Sequence, residues 1–263
     1  MGLACARRLA ASDTLLLADV ADESRDKARA VLAAEGVESE TVTCEVTFEQ
    51  DIDALVRIVR RMGSFRSLVH TGGVSPELAP CNGSWTWTSS DRCASWKHCY
   101  LWWGQDPQRC SSARSPAIAT WIPGVEALLA DPLADGLYES VVGALGRPLD
   151  SATAYVLAKR GVTRLVERAA TPWSARGGRI VAIAPGLIES EMGLMEMERQ
   201  PIMPVMIDMT PVKRPEQTLP GRPEDIAGAV AFLVSDDALL ISGCDLRVDG
   251  GLVGAGLQMM SQG

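Results

Sequence analysis

The chain has 263 residues, enough for one α/β domain or for two small domains. Apolar residues make up 47% of it and charged residues 22%, and no apolar run approaches the roughly 18 residues of a membrane helix, so we expect no membrane partner. The net charge of −8 would repel a phosphate backbone, so we also expect no nucleic-acid partner.

Helices and strands alternate along the first part of the chain. Helical spacing of apolar residues, short apolar or β-branched runs, and stop signals such as Gly36 mark the elements. In chain order we predict helix 2–11, strand 15–18, helix 23–35, strand 40–46, helix 48–62 and strand 67–70. This order is typical of parallel strands joined by helices.

The alternation resumes in the second half with helix 152–170, strand 179–184, helix 223–235 and strand 246–248. No linker divides the sequence, so we predict a single α/β domain over residues 1–263 with a doubly wound, Rossmann-like parallel sheet. Seven cysteines without a visible secretory signal favour free thiols in a reducing compartment, and we expect the cytoplasm.

Gly2 and Asp19 are candidate dinucleotide-binding residues. A dinucleotide fold opens with a strand and a glycine-rich turn, but this sequence starts within the helix that would follow, so we expect both to be missing here. Gly2 is either the last glycine of that turn or an ordinary second residue. Asp19 either accepts hydrogen bonds from an adenosine ribose or caps its own strand. Its next neighbours, Val20 and Ala21, offer no arginine for a 2′-phosphate, which favours NAD over NADP.

A Tyr-x-x-x-Lys pattern places Tyr155 and Lys159 on one face of a predicted helix, because residues four apart are neighbours there. A free phenol has a pKa of about 10 and is a poor acid–base group at neutral pH. A neighbouring ammonium stabilises the phenolate and lowers that pKa. The pair therefore predicts a proton-transfer site, although the spacing also arises by chance in many helices.

In this context the chain resembles the short-chain dehydrogenase/reductase family. The matching pieces are LLLADV at 15–20, CEVT at 44–47, LVHTGGVS at 68–75, YVLAK at 155–159, APGLIESEM at 184–192, GRPEDIAGAVAFLVSD at 221–236 and ISGCDLRVDGG at 241–251. The resemblance implies hydride transfer between NAD(H) and a small-molecule alcohol or carbonyl substrate.

The resemblance also implies roles for single residues. Tyr155 would exchange the proton with the substrate oxygen, and Lys159 would hold the nicotinamide ribose and lower the pKa of the tyrosine. The family usually has Asp in place of Glu45. The implied NAD contacts are Gly2, Asp19, Glu45, Val46, His70, Gly72, Gly73, Tyr155, Lys159, Pro185, Gly186, Ile188 and Ser190. Plain turns at 72–73 and 185–186 and a strand cap at His70 are the alternatives, and no metal site is expected.

Residues 123–150 read as a helical insertion before the tyrosine. The piece resembles one in the hydroxysteroid dehydrogenase and carbonyl reductase-like subgroup, which the chain matches most closely in pattern. There it obstructs the helix-bundle contact between subunits and helps to form the substrate entrance. The alternative is a surface helix pair without a role in binding, and a homodimer stays open as the assembly.

Residues 81–122 differ from the rest of the chain, because they hold six of the seven tryptophans and four of the seven cysteines and show no helical or strand period. The candidate metal ligands, Cys81, Cys93, His98, Cys99 and Cys110, lack paired ligand spacing. The neighbouring reading frame restores Glu-Ala-Leu-Leu-Pro-x-Val-Gly and a Ser-x-Ala-Gly-His stretch like the one that carries the family's catalytic serine. We therefore hypothesise a shifted frame, with a genuine irregular insertion as the alternative.

The sequence thus predicts an oxidoreductase that transfers a hydride between NAD(H) and a secondary alcohol or carbonyl, with Tyr155 and Lys159 as its acid–base pair. The alternative is a catalytically impaired relative that at most binds ligand, because the catalytic serine is not identifiable. Six methionines between Met192 and Met209 predict either a mobile apolar lid over a bulky apolar substrate or ordinary core packing.

Overall fold

The computed structural model describes residues 1–73, 124–132 and 134–262. The segment 81–122, with its shifted-frame hypothesis, its Cys/His set and the expected catalytic serine, lies outside the described residues. The helices are α1 (Gly2–Leu9), α2 (Asp22–Ala34), α3 (Glu49–Met62), α4 (Leu137–Leu145), α5 (Ser151–Ser174), α6 (Glu191–Arg199), α7 (Met203–Met209), α8 (Pro223–Val234) and α9 (Leu252–Gln262). The strands are β1 (Leu15–Asp19), β2 (Ser39–Thr43), β3 (Val181–Pro185) and β4 (Cys244–Val248).

The strands form two parallel pairs. β1 pairs with β2 in a register that runs from Leu15 opposite Ser39 to Asp19 opposite Thr43. β3 pairs with β4 from Val181 opposite Cys244 onward. Within the described residues no ladder joins the two pairs. Both described pairs are parallel, as the alternation of helix and strand predicts.

Two strand predictions were wrong in their extent or type. β2 ends at Thr43 because a turn follows, closed by a hydrogen bond from the Phe48 amide to the Glu45 carbonyl at 2.9 Å. Residues 67–70 are not assigned as a strand in the part of the chain that is described. Leu68 and Val69 pack at the edges of two different apolar clusters.

The main core lies around β3. Val181 and Ala182 are fully buried and point to opposite faces, as expected for a strand covered on both sides. α1 and α8 cover one face, where Leu9, Val230 and Leu233 belong to the same cluster as Val181. This packing anchors β1 and β3 in the core. The carboxyl ends of these two strands carry several predicted site residues.

The predicted helical insertion consists of a 3-10 turn at Leu128–Ala130 followed by α4. Its buried side chains Leu129 and Val141 share an apolar cluster with Leu157 of α5. Ion pairs at the rim connect the same two pieces, from Arg160 and Arg164 to Glu126 at 2.9 and 2.8 Å and from Arg168 to Asp131 at 2.7 Å. The insertion therefore covers one face of α5.

The predicted apolar lid region forms α6 and α7. No side chain of α6 is buried, and Met203 is the buried side chain of α7. Few buried contacts are typical of segments that open at low free-energy cost. Within the described ranges, none of the helices combines the length and the apolarity that crossing a lipid bilayer requires.

Candidate active site

α5 places the predicted acid–base pair. The helix begins after Asp150, whose carboxylate accepts hydrogen bonds from the Thr153 amide and hydroxyl, both at 2.8 Å. These bonds, the amide one foremost, lower the pKa of Asp150 to about 2, so the cap is ionised at neutral pH. One turn further along, Tyr155 and Lys159 project from the same face, as their spacing predicts.

The Lys159 side chain is 1% exposed, and its Nζ lies 5.3 Å from the centroid of the Tyr155 ring. Burying an ammonium is costly unless it has partners, and the ring face supplies an attractive one. The structure therefore brings the Tyr155 ring and the Lys159 ammonium together on α5, as the Tyr-x-x-x-Lys spacing predicts.

Asp19 ends β1 with an exposed side chain. Its Oδ1 accepts a hydrogen bond from the Ala21 amide at 2.9 Å, and its main-chain carbonyl accepts from the Cys44 amide of the neighbouring segment at 3.1 Å. The carboxylate of Asp19 therefore caps the turn after β1, as one of the two interpretations predicts, and ribose binding stays a prediction for this exposed group.

Glu45 and Val46 follow β2. The Glu45 carboxylate accepts from the Thr47 hydroxyl at 3.0 Å and from the Thr47 amide at 3.3 Å, and the Glu45 amide donates to Asp51 at 2.9 Å. The Glu45 side chain is therefore engaged within its own turn.

Gly2 lies against the 71–73 turn. A Cβ added at Gly2 would come within 2.9 Å of Thr71 Oγ1, so the glycine allows an approach that a side chain would prevent. A Cβ at Gly72 would come within 3.1 Å of the His70 ring. The structure therefore brings Gly2, His70, Gly72 and Gly73 together at one end of α1.

Pro185, Gly186, Ile188 and Ser190 follow the carboxyl end of β3 and differ in environment. The Gly186 amide donates to the Val248 carbonyl at 2.9 Å, and a Cβ at Gly186 would lie 2.6 Å from the Cα of Asp249, so only glycine fits. The Ile188 side chain is 5% exposed and belongs to the core. Ser190 caps α6 by accepting from the Gly193 amide at 3.2 Å.

An open cavity of about 640 Å³ lies beside this segment, at the carboxyl ends of β3 and β4. Gly186 and Leu187 line it together with the cationic side chains of Lys213, Arg214 and Arg247. Tyr155 and Lys159 do not line it. The cavity therefore adjoins the predicted nicotinamide end and is separate from the acid–base pair.

Neither a metal centre nor a reactive thiol is found in the described ranges. No group of three His, Cys, Asp or Glu side chains there could hold a metal ion. Cys5, Cys44 and Cys244 are free thiols, and burial, followed by the charges of Asp51 and Glu45, raises the pKa of Cys44 to about 11.

One charged residue near Asp19 was missed by the sequence analysis. Arg25, six positions beyond Asp19, reaches back from α2 and donates to the Asp19 carbonyl at 2.7 Å. The same guanidinium is paired with Asp22. The sequence does contain a signal for this contact, because Asp22 and Arg25 are three positions apart in the first turn of the helix that follows Asp19. The sequence analysis considered only the next two neighbours of Asp19 and did not reach this pair.

Comparisons with known proteins identify the family of the chain. A family model described as enoyl-(acyl carrier protein) reductase matches residues 138–253, a range that includes α5, β3 and β4. The cis-4-hydroxycyclohexanecarboxylate dehydrogenase of Sinomonas cyclohexanicum is 30% identical over 260 residues, which cover 95% of this chain and 91% of that enzyme. The chain belongs to the short-chain dehydrogenase/reductase family.

Solved structures share the fold of this family member. An NAD⁺-bound xylitol dehydrogenase has a TM-score of 0.72 and 25% identity, covering 95% of this chain and 94% of that one. A 7α-hydroxysteroid dehydrogenase, complexed with NADH and 7-oxo glycochenodeoxycholic acid, has a TM-score of 0.72 at 20% identity, covering 95% and 89%. The predicted family and Rossmann-like fold are confirmed, and the chain is a member of an oxidoreductase family.

Proposed function

We propose that this chain binds NAD(H) and catalyses reversible hydride transfer between it and a secondary alcohol or carbonyl compound, with Tyr155 as the acid–base group. The observation that carries the proposal is the buried Lys159 ammonium, 5.3 Å from the centroid of the Tyr155 ring on the same face of α5. Membership of a dehydrogenase/reductase family supports it.

The described residues fit a dinucleotide. Asp19 offers an exposed carboxylate at the carboxyl end of a parallel strand, where ribose hydroxyls can donate to it. Gly2 stands in the first turn of α1, and a helix N-terminus favours the negative charge of a pyrophosphate. The Cβ that glycine lacks would fill the gap between this turn and Thr71. The 185–190 segment would contact the nicotinamide end.

Tyr155 would give its hydroxyl proton to the carbonyl oxygen during reduction and take a proton from the alcohol during oxidation. Lys159 would keep the phenolate accessible by its charge and would bind the nicotinamide ribose. When bound, NAD(H) supplies or accepts the hydride. We expect general acid–base catalysis by Tyr155 to raise the turnover rate about 10²–10⁴-fold.

A binding titration followed by a turnover assay tests the proposal. The full chain is titrated with NADH by fluorescence and then assayed with NAD⁺ and secondary alcohols on which its relatives act: cis-4-hydroxycyclohexanecarboxylate, xylitol and a 7α-hydroxysteroid. Tyr155→Phe should reduce turnover about 10²–10⁴-fold while leaving NADH affinity and the unfolding temperature unchanged. Tyr138→Phe, in α4, is the matched control and should keep full turnover.

The outcomes separate the two functions that the sequence leaves open. Unchanged turnover in Tyr155→Phe would remove the proposed role of that residue. NADH binding without turnover of any tested alcohol would favour the impaired relative that only binds ligand. Absence of NADH binding would contradict the proposed cofactor.

A further inference from the structure

We propose that Asp22 sets a preference for NAD over NADP by keeping the Arg25 guanidinium paired beside the ribose-binding carboxylate of Asp19. This inference rests on the proposed function, because it assumes that the adenosine ribose lies at Asp19. It adds Asp22, on α2, as a specificity-determining residue to the strand-end carboxylate of Asp19.

The guanidinium of Arg25 is held at the end of β1 by two oxygens. Its Nη1 donates to the Asp19 carbonyl at 2.7 Å, and its Nη2 is paired with a carboxylate oxygen of Asp22. The Arg25 side chain is 11% exposed, whereas that of Asp22 is 80% exposed. The cation of Arg25 is therefore largely shielded from solvent, whereas the carboxylate of its partner Asp22 is exposed.

The charges at this edge are unfavourable for a 2′-phosphate. Asp19, Asp22 and Glu23 supply three carboxylates within the strand end and the first turn of α2, and Arg25 supplies one cation. A phosphate dianion binds best to a guanidinium that is not already neutralised. Because Asp22 neutralises Arg25, the loop presents a net negative charge to the 2′ position, where a hydroxyl is accepted and a phosphate is repelled.

Removing the charge of Asp22 should reverse part of this preference. Asp22→Asn keeps the size of the side chain and an oxygen acceptor but leaves the guanidinium without an ionic partner. Arg25 is already in contact with the Asp19 main chain, and an arginine side chain that is little exposed is weakly screened by salt. We therefore expect the dissociation constant for NADPH to fall about tenfold in this variant. The constant for NADH should change less than about twofold, since its ribose hydroxyls carry no charge.

The chain offers a matched control on the same helix. Asp26 pairs with Arg29 one turn further along, at 3.9 Å, so Asp26→Asn changes the net charge by the same amount without releasing Arg25. The double variant Asp22→Asn/Arg25→Met provides the second control, because it removes the cation that the first substitution frees. Asp22→Ser is a second way of removing the carboxylate.

The experiment is a set of NADH and NADPH fluorescence titrations on the full chain and its variants, with thermal unfolding of each. The inference expects tighter NADPH binding in Asp22→Asn and Asp22→Ser, no gain in Asp26→Asn, and loss of the gain in the double variant.

Three results would overturn it. If NADH binds but Asp22→Asn and Asp22→Ser leave NADPH affinity unchanged, Asp22 does not set the preference, while the proposed function stands. An equal gain in Asp26→Asn would assign the effect to overall charge, and a gain that persists in the double variant would exclude Arg25. If no variant binds NADH, the proposed function fails and this inference fails with it.

Discussion

Arg179, just before β3, is 6% exposed, and its guanidinium stabilises the fold through hydrogen bonds to the main chain. The guanidinium donates to three main-chain carbonyls, those of Leu233 at 2.7 Å, Ser235 at 3.3 Å and Ile241 at 3.1 Å. Two of these belong to the C-terminal end of α8, where carbonyls lack helical partners and carry the negative end of the helix dipole. One side chain therefore joins the end of α8 to the start of β3.

Arg179→Ala removes all three donors and leaves buried carbonyls unsatisfied. We expect the free energy of unfolding to fall by about 3 kcal/mol in urea denaturation. Arg61→Ala, at an exposed position in the last turn of α3, is the control and should change it by less than about 0.5 kcal/mol. A loss as small as that of the control would mean that water replaces the guanidinium.

Asp245, on β4, is a carboxyl whose ionisation the fold opposes. Burial is the largest cause that raises its pKa, and Glu167 adds to it, while Arg247, Thr163 and Arg160 act in the opposite direction. Its Oδ1 is buried without a hydrogen-bond partner in the described residues. Because the folded chain holds this proton more tightly, the stabilising contribution is complete below the unfolded pKa of about 3.8 and is lost as the pH rises through the folded value.

We therefore expect Asp245→Asn to stabilise the chain near neutral pH, where the wild-type carboxylate must be buried with its charge. The difference in melting temperature between variant and wild type should widen from about pH 4 to about pH 7. Asp237→Asn, at an exposed position after α8, should show no such widening. A constant difference across this range would contradict the assigned burial effect.

At the scale of elements, α5 has two roles on two faces. One face carries Tyr155 and Lys159, and the other holds the helical insertion through Arg160 and Arg164. Burial opposes the ionisation of Glu126, yet the hydrogen bonds from these two arginines outweigh it and lower its pKa. The insertion is thus fastened to the helix that carries the acid–base pair.

Glu126→Ala removes the carboxylate that links two partly buried guanidinium groups, 21% and 33% exposed, to the insertion, although Arg164 keeps its pair with Glu167. We expect a loss of about 2 kcal/mol in unfolding free energy and faster proteolysis within 124–145, because the insertion is then held only by its apolar cluster and the Arg168–Asp131 pair among the contacts described above. Glu139→Ala, an exposed position of α4, is the matched control. An unchanged cleavage pattern in Glu126→Ala would show that the ion pairs do not fasten the insertion.

At the scale of the whole molecule, the described strands form two parallel pairs that share no ladder. Re-reading residues 81–122 in the neighbouring frame would replace a segment without period by one that reads as a helix end leading into a strand. We expect the reframed chain to unfold more cooperatively and at a higher temperature, because an added strand pairs backbone groups and fills the core.

Calorimetry of both chains measures this difference, and a chain with residues 81–122 in scrambled order controls for composition. Sequencing of the source gene is the direct test of the frame. The hypothesis is wrong if the gene carries the written frame and the written chain unfolds in one cooperative transition with normal turnover.

The sequence by itself determined the alternation of helix and strand, the parallel fold and the family. Helical period, buried strands and stop signals depend on residues near each other in the chain, and so does the Tyr155–Lys159 pair, because four positions always form one helical turn.

Only the tertiary structure decided features that depend on contacts across the chain. Residues 67–70 have strand composition but are not assigned as a strand among the described residues, and the packing of Val69 and Leu68 against two separate apolar clusters depends on distant parts of the chain. Ile188 is buried because it packs against side chains of α8 in the same apolar cluster. The Glu45 carboxylate accepts a hydrogen bond from Thr47. Arg25 reached Asp19 because the turn between β1 and α2 folds the helix back, a direction that composition and spacing do not encode.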